Sequence, residues 1–218
     1  MNPTILIATH KRTLITADLL KDLLKNQGEV QIVLVVSENT ERLFFQSLNY
    51  PNVHIITAPN NPLGLKWQSG VNYAKKINAD PLIILGSDDT LKPGFVQNAI
   101  KLLDKYDFIG LKRFYVKQAR KVFTIDYKPA MPIGGGRVYS AKALELIRWK
   151  VFNPGKNKHL DNDGFDAVVR SGGKVLLVSD VKKHGLELVA LKGDWPMMNP
   201  FNRYHPNISV LCVESQVL

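Results

Sequence analysis

Two hydrophobic rhythms alternate along the first half of the chain. Apolar runs of strand length occupy 4–8 (TILIA), 30–36 (VQIVLVV), 53–57 (VHIIT), 81–85 (PLIIL) and 107–111 (DFIGL). Between them, over 13–28, 40–48, 65–79 and 93–106, apolar residues recur at the three- and four-residue spacing of amphipathic helices. Gly28 falls where the first helix should stop, Thr40 where a cap for the second would stand, and Pro93 suits the first turn of the fourth. Near-continuous apolar strands alternating with helices predict an α/β fold with a mainly parallel central sheet covered on both faces.

The second half changes rhythm. Residues 113–127 read as two strands joined by a turn, MPIGGGRVY (131–139) as a glycine-rich loop, 141–150 and 161–171 as helices, and GKVLLVSD (173–180) as another buried strand. From GDWPMMNPFNRYHPN (193–207) onward no period is visible. With no internal repeat and no clear boundary, residues 1–218 are expected to form a single domain.

Composition narrows the function classes. A chain of 218 residues buries a core without metal or disulfide staples, and 45% hydrophobic with 22% charged residues excludes disorder. No apolar run approaches the ~20 residues of a membrane span, and the N-terminal charges follow the apolar run rather than precede it, so a cytoplasmic protein is expected. The single cysteine, Cys212, excludes an internal disulfide and a multi-cysteine zinc site. A net charge of +10 favours anionic partners such as phosphates, nucleic acid or an acidic membrane surface. The cations are scattered, with no aromatic-interleaved tract, so a nucleic-acid footprint is not expected.

In open parallel sheets ligands gather beyond the carboxyl ends of the strands. Four such ends carry polar groups here: ATHKR, SENTE, GSDD and SDVKKHG. Asp88 and Asp89 repel each other, and a divalent ion between them would resolve the conflict; capping of the following helix is the equally weighted alternative. His184 is a candidate third ligand, whose imidazole would tilt the preference from Mg²⁺ toward Mn²⁺. Asp161 and Asp163 fall at the start of a helix, where unpaired N–H groups favour negative charge, and either is a candidate general base. The three glycines of PIGGGR match no phosphate-loop spacing and point instead to a sharp bend or a close backbone approach to a ligand.

Taken in order over residues 3–185, these pieces resemble the nucleotide-sugar glycosyltransferases of the GT-A fold, particularly family 2. TILIATHKR is similar to the family's opening strand, NNPLGLKWQSGVNYAKKINADPLIILGSDD to the stretch leading into its DxD metal motif, GGGRVYSAKALELI to its acceptor-side loop and helix, and LDNDGFDAVVRSGGKV to its EDxDLxxRxxxxGxxV segment. Four positions depart from the pattern. Gly86 replaces the first Asp of DxD, Ser37 and Glu38 replace the acidic pair after the second strand, and Leu160 replaces the Glu before Asp161.

The resemblance implies a GT-A, Rossmann-like sheet with a small antiparallel acceptor-side portion. Residues 1–112 would form a nucleotide-binding half, 113–194 an acceptor and catalytic half, and 195–218 a tail, lid or linker. It implies transfer of a sugar from a nucleotide-diphosphate sugar, uridine-based, to a hydroxyl of a glycan or glycoconjugate with inversion. Mn²⁺ or Mg²⁺ would be held by Asp88 with Asp89 or His184. Thr9, Arg12, Glu38, Lys66, Ser87 and Asp88 would bind the donor, Asp161 would be the base with Asp163 its rival, and Gly135, Gly136 and Trp195 would serve the acceptor side. A sugar-phosphate nucleotidyltransferase and a non-enzymatic phosphate- or nucleic-acid-binding module are the competing readings.

Overall fold

The computed structural model describes residues 1–192 and 204–215; Trp195 lies outside them. Its elements run β1 (Thr4–Ala8), α1 (Thr13–Asn26), β2 (Gln31–Val36), α2 (Asn39–Ser47), β3 (Val53–Thr57), α3 (Leu63–Lys76), β4 (Leu82–Gly86), β5 (Asp89–Leu91) and α4 (Phe95–Leu103). The second half contributes β6 (Phe108–Leu111), β7 (Arg113–Gln118), β8 (Lys121–Tyr127), β9 (Arg137–Tyr139), α5 (Ala141–Leu146), α6 (Leu160–Arg170), β10 (Val175–Val178), α7 (Val181–His184), β11 (Leu188–Lys192) and β12 (Ile208–Ser215).

Seven strands form the central sheet in the order β10-β6-β9-β4-β1-β2-β3, parallel throughout except for β9, which runs antiparallel between β4 and β6. Alternate residues of its strands feed opposite cores. Ile5, Ile7, Ile32, Leu34, Ile83 and Leu85 pack with α1, α4 and the second sheet, whereas Leu6, Val33, Val35, Leu82 and Ile84 pack with α3, α5 and α6. This double burial explains the unbroken apolar runs, since a strand with a helix or sheet on each face has no polar side to show. Helix α3 lies so close that a Cβ on Gly70 would come within 2.3 Å of Leu6 Cδ1.

A second sheet, ordered β12-β8-β7-β11-β5, is larger than the antiparallel portion expected and is mostly antiparallel, with β11 and β7 parallel. Part of the stretch read as without period is therefore its edge strand, β12. The Arg137–Tyr139 end of the expected loop is β9, buried in the central sheet. Two helix starts also differ from expectation. Glu38, not Thr40, caps α2 through a reciprocal capping box with Glu41, and Gly94, in the left-handed region at φ 81°, caps α4 in place of Pro93 as a first-turn residue.

Candidate functional site

The carboxyl end of β4, the glycine run before β9, the end of β11 and the start of α6 converge above the central sheet. A cavity of about 400 Å³ there is lined by Gly86, Asp88, Asp89, Gly134, Gly135, Arg137, Lys158, Asp161 and Lys192 among others. The two carboxylates singled out at separate strand and helix ends, Asp88 and Asp161, thus share one cavity. Neither caps a helix: Asp88 and Asp89 lead into β5, and His159 is the N-cap of α6, with Asp161 in its first turn.

Asp88 is buried and holds two cations, Arg12 Nη1 at 3.1 Å on Oδ1 and Lys192 Nζ at 3.0 Å on Oδ2. Arg12 Nη1 also donates to Ser87 Oγ at 3.3 Å, so Arg12 and Ser87 stand with the acidic pair rather than out along the nucleoside side. Lys192 reaches Asp88 because β11 pairs antiparallel with β5, Ala190 opposite Asp89, and Leu191 N donates to the Asp88 carbonyl at 2.8 Å. Asp89 is pushed up to about 6, by burial first and by the charge of Asp88 second, with Lys192 and Arg12 pulling less strongly the other way.

His184 is not brought to this pair. It ends the short helix α7, after which Gly185 turns at φ 62° and receives Asn98 Nδ2 of α4 on its carbonyl, and His184 lines neither cavity that contains Asp88. Lys192 holds the place that His184 was expected to fill. Among the described residues no group of three His, Cys, Asp or Glu side chains converges on one point. Asp88 and Asp89 nevertheless fit Mg²⁺ or Mn²⁺ of the kind that takes one or two carboxylates and completes its shell with water and substrate phosphate.

Asp161 is fixed by Arg137, a residue the sequence did not flag. Arg137 is buried in β9 and donates from Nε to the Gly134 carbonyl at 2.8 Å, from Nη1 to the Asp161 carbonyl at 2.8 Å and from Nη2 to Asp161 Oδ1 at 3.2 Å, while its guanidinium lies 5.5 Å from the Phe152 ring centre. Asp163 points elsewhere. Its carboxylate accepts from Lys156 Nζ at 2.6 Å and Asn153 N at 3.2 Å, and it lines a different groove, so it does not share the cavity with Asp88.

The glycine run divides its labour. A Cβ on Gly134 would stand 2.7 Å from Asp161 Oδ1, and one on Gly135 2.7 Å from Asp89 Oδ2, so these two residues keep the cavity floor clear beneath both carboxylates. Gly136, at φ 71°, instead serves the backbone turn into β9, donating its N–H to the Ile84 carbonyl at 2.8 Å. Gly134→Ala is expected to displace the half-exposed Asp161 carboxylate and to lower any activity that depends on that group about 10–100-fold with the melting temperature nearly unchanged, as paired activity and unfolding measurements would read.

A second polar group of residues lies where β1, β2 and β3 end. Lys66 of α3 is buried, and its Nζ donates to the Thr9 carbonyl and, at 3.1 Å, to Asn60 Oδ1. Thr9 contributes only that carbonyl, because its hydroxyl is buried against Thr16 Oγ1 at 2.8 Å. Its neighbour His10 presents a buried Nδ1 with no hydrogen-bond partner, 3.9 Å from Glu38 Oε1, and Ser37 Oγ is likewise buried and unpartnered. Glu41 ties the rim together by accepting from the backbone N–H groups of Lys11 at 2.6 Å, Ser37 at 3.2 Å and Glu38 at 3.3 Å. Orphaned polar atoms beside a buried lysine make a site that calls for a polar ligand. His10 and Glu41 carry no sequence signal beyond following a strand end and forming the E-x-x-E of a capping box.

Burial lowers Lys66 to about 8, against the opposing pull of Glu41 and Glu38. Between about pH 8 and 10.5 the unfolded chain therefore holds a proton that the folded chain has released, and this group's contribution to stability rises with pH across that window. Lys66→Met removes that rise. Urea unfolding at pH 7.5 and pH 10 should show wild type gaining stability relative to the variant as the pH increases.

No protein-family model matches the chain, and no curated protein does. Solved structures do. The chain is similar to S. aureus TarS, a GT-A-type glycosyltransferase, in a structure of TarS 1–349 with TM-score 0.65, 14% identity, and coverage of 88% of this chain and 60% of that one. The same TarS piece in complex with UDP gives TM-score 0.67 at 14% identity with the same coverage. A longer TarS structure gives TM-score 0.67 at 14% identity, with 37% of its length covered. The chain therefore spans 60% or less of these neighbours. At this identity the likeness is one of architecture, and the seven-stranded, mainly parallel sheet flanked by helices agrees with it. The chain has the GT-A glycosyltransferase fold.

Proposed function

We propose that the protein is a metal-dependent glycosyltransferase, moving a sugar from a uridine-diphosphate sugar to a hydroxyl of a glycan or glycoconjugate with inversion at the anomeric carbon. The observation that carries this reading is the single cavity lined by both Asp88 and Asp161, open at its floor because Gly134 and Gly135 have no side chains. The UDP complex of a structure with the same fold supports the choice of nucleoside diphosphate.

In this mechanism His10, Ser37, Glu38 and Lys66 hold the nucleoside at the ends of β1 and β2, where unpartnered polar atoms await it. The diphosphate lies beside Arg12, Asp88 and Lys192. Asp88 and Asp89 would hold Mg²⁺ or Mn²⁺, which offsets negative charge on phosphate oxygens. Asp161, held in place by Arg137, accepts the proton of the acceptor hydroxyl as that oxygen bonds to the anomeric carbon. The bond from that carbon to the donor's phosphate oxygen breaks on the opposite face. Its electron pair stays with the departing diphosphate, next to the cations of Arg12 and Lys192.

The discriminating experiment is a panel of uridine-diphosphate sugars incubated with the protein and Mn²⁺, without acceptor. Slow release of UDP from one donor, absent without the metal, is the expected result. A protein that neither cleaves nor is thermally stabilised by any of them contradicts the reading.

A further inference from the structure

Among the described residues, Lys192 is the one cation that lines both the cavity shared by Asp88 and Asp161 and a neighbouring cavity of about 440 Å³ formed by α1, β5 and the β7–β8 turn. Its ammonium sits 3.0 Å from Asp88 Oδ2, with 18% of its side chain exposed, and Arg12 takes the other oxygen. Both oxygens of the carboxylate expected to ligate a divalent ion are thus engaged by basic side chains. The two cations are not equivalent. Arg12 is tied to Ser87 as well and is planar and rigid, whereas Lys192 has a flexible four-carbon stem and a point charge free to swing between neighbours.

We infer that Lys192 is a movable counter-ion: it occupies Asp88 while the donor site is empty, competes there with the divalent ion, and transfers to the donor's diphosphate when ion and donor bind. The argument is electrostatic. An ion bound to Asp88 and an ammonium on the same carboxylate repel each other, and with Asp89 drawn to the same ion the phosphate oxygens arriving in the cavity are strong acceptors for the displaced ammonium. The ammonium then supplies positive charge where the leaving group develops its negative charge. Asp88 is neutralised in both states, so its buried carboxylate is never left alone.

This inference rests on the nucleotide-sugar reading, and its test separates the two. Calorimetric titration of the full chain with Mn²⁺ alone, then with UDP at saturating Mn²⁺, is carried out for wild type, Lys192→Met and Lys192→Arg. Lys192→Gln replaces the Met variant should that one not fold. Removing the ammonium is expected to raise Mn²⁺ affinity about tenfold or more and to lower UDP affinity about tenfold or more, while Lys192→Arg, which keeps the charge but not the flexible point-charge head, shows a smaller shift in each. Opposite shifts in the two affinities are the signature, because a merely structural role would lower both. A charge-removing variant with unchanged or lower Mn²⁺ affinity, or with unchanged UDP affinity, overturns the assignment of Lys192 alone. Wild-type protein that binds Mn²⁺ but no UDP overturns the nucleotide-sugar reading and this inference with it.

Discussion

Asp161→Asn lowers the rate of sugar transfer by about 10²–10⁴-fold and leaves affinity for UDP and Mn²⁺ as in wild type. The amide is nearly isosteric with the carboxylate and can still accept from Arg137, so the first turn of α6 and the cavity wall stay in place. What it cannot do is take a proton from an acceptor hydroxyl. Side-by-side measurement of kcat and of UDP affinity distinguishes loss of the base from loss of the fold. A fully active variant would pass the role to another group, and Asp163 is not well placed to take it. Two residues apart on a helix is about 200° of rotation, so when Asp161 faces the cavity Asp163 faces away, toward Lys156 and Asn153.

Asp88→Asn acts on the donor instead. The carboxylate is buried between Arg12 and Lys192, and neutralising it leaves two cations facing each other without their shared counter-charge. Breaking such a pair costs about 3–5 kcal/mol when fully buried, and somewhat less is expected here because both cations keep some solvent contact. The functional consequence is larger. Wild-type UDP affinity should improve at least about tenfold on adding Mn²⁺, whereas in the variant it should no longer respond to the metal, since only one carboxylate of the pair, Asp89, is left to hold the ion. Titration of UDP with and without Mn²⁺ reads this directly, and a variant with undiminished metal dependence would contradict the placement of the ion.

The strands and helices of the first half were legible because each strand is buried on both faces and each helix on one, which writes two distinct periods into the sequence. Asp88 was legible for the same reason, lying just past the end of an unmistakable strand. The second half was harder. Strand β9 has only three residues and follows three glycines, so nothing local distinguishes it from loop; its partners, β4 and β6, are more than twenty residues away along the chain. Arg137 went unnoticed as a consequence, although a cation inside a Val-Tyr-containing strand is a signal in retrospect. Lys192 was invisible for another reason. Its place beside Asp88 depends on the antiparallel register between β11 and β5, a tertiary fact that spacing along the chain does not encode. The same register explains why His184 is not brought to the pair: three residues separate it from the start of β11, at the Leu91 end of β5 rather than the Asp88 end. Strand-end position alone does not say whether a side chain faces the crevice or the helix behind it: the Thr9 hydroxyl meets Thr16 of α1, and His10, one residue on, carries the unpartnered nitrogen.

The most direct test is a crystal structure with UDP and Mn²⁺. The account predicts the uracil and ribose among His10, Ser37, Glu38 and Lys66, the ion on Asp88, and the diphosphate between Arg12 and Lys192 on the side open to Asp161. UDP bound elsewhere, or an ion that leaves Asp88 untouched, would contradict it.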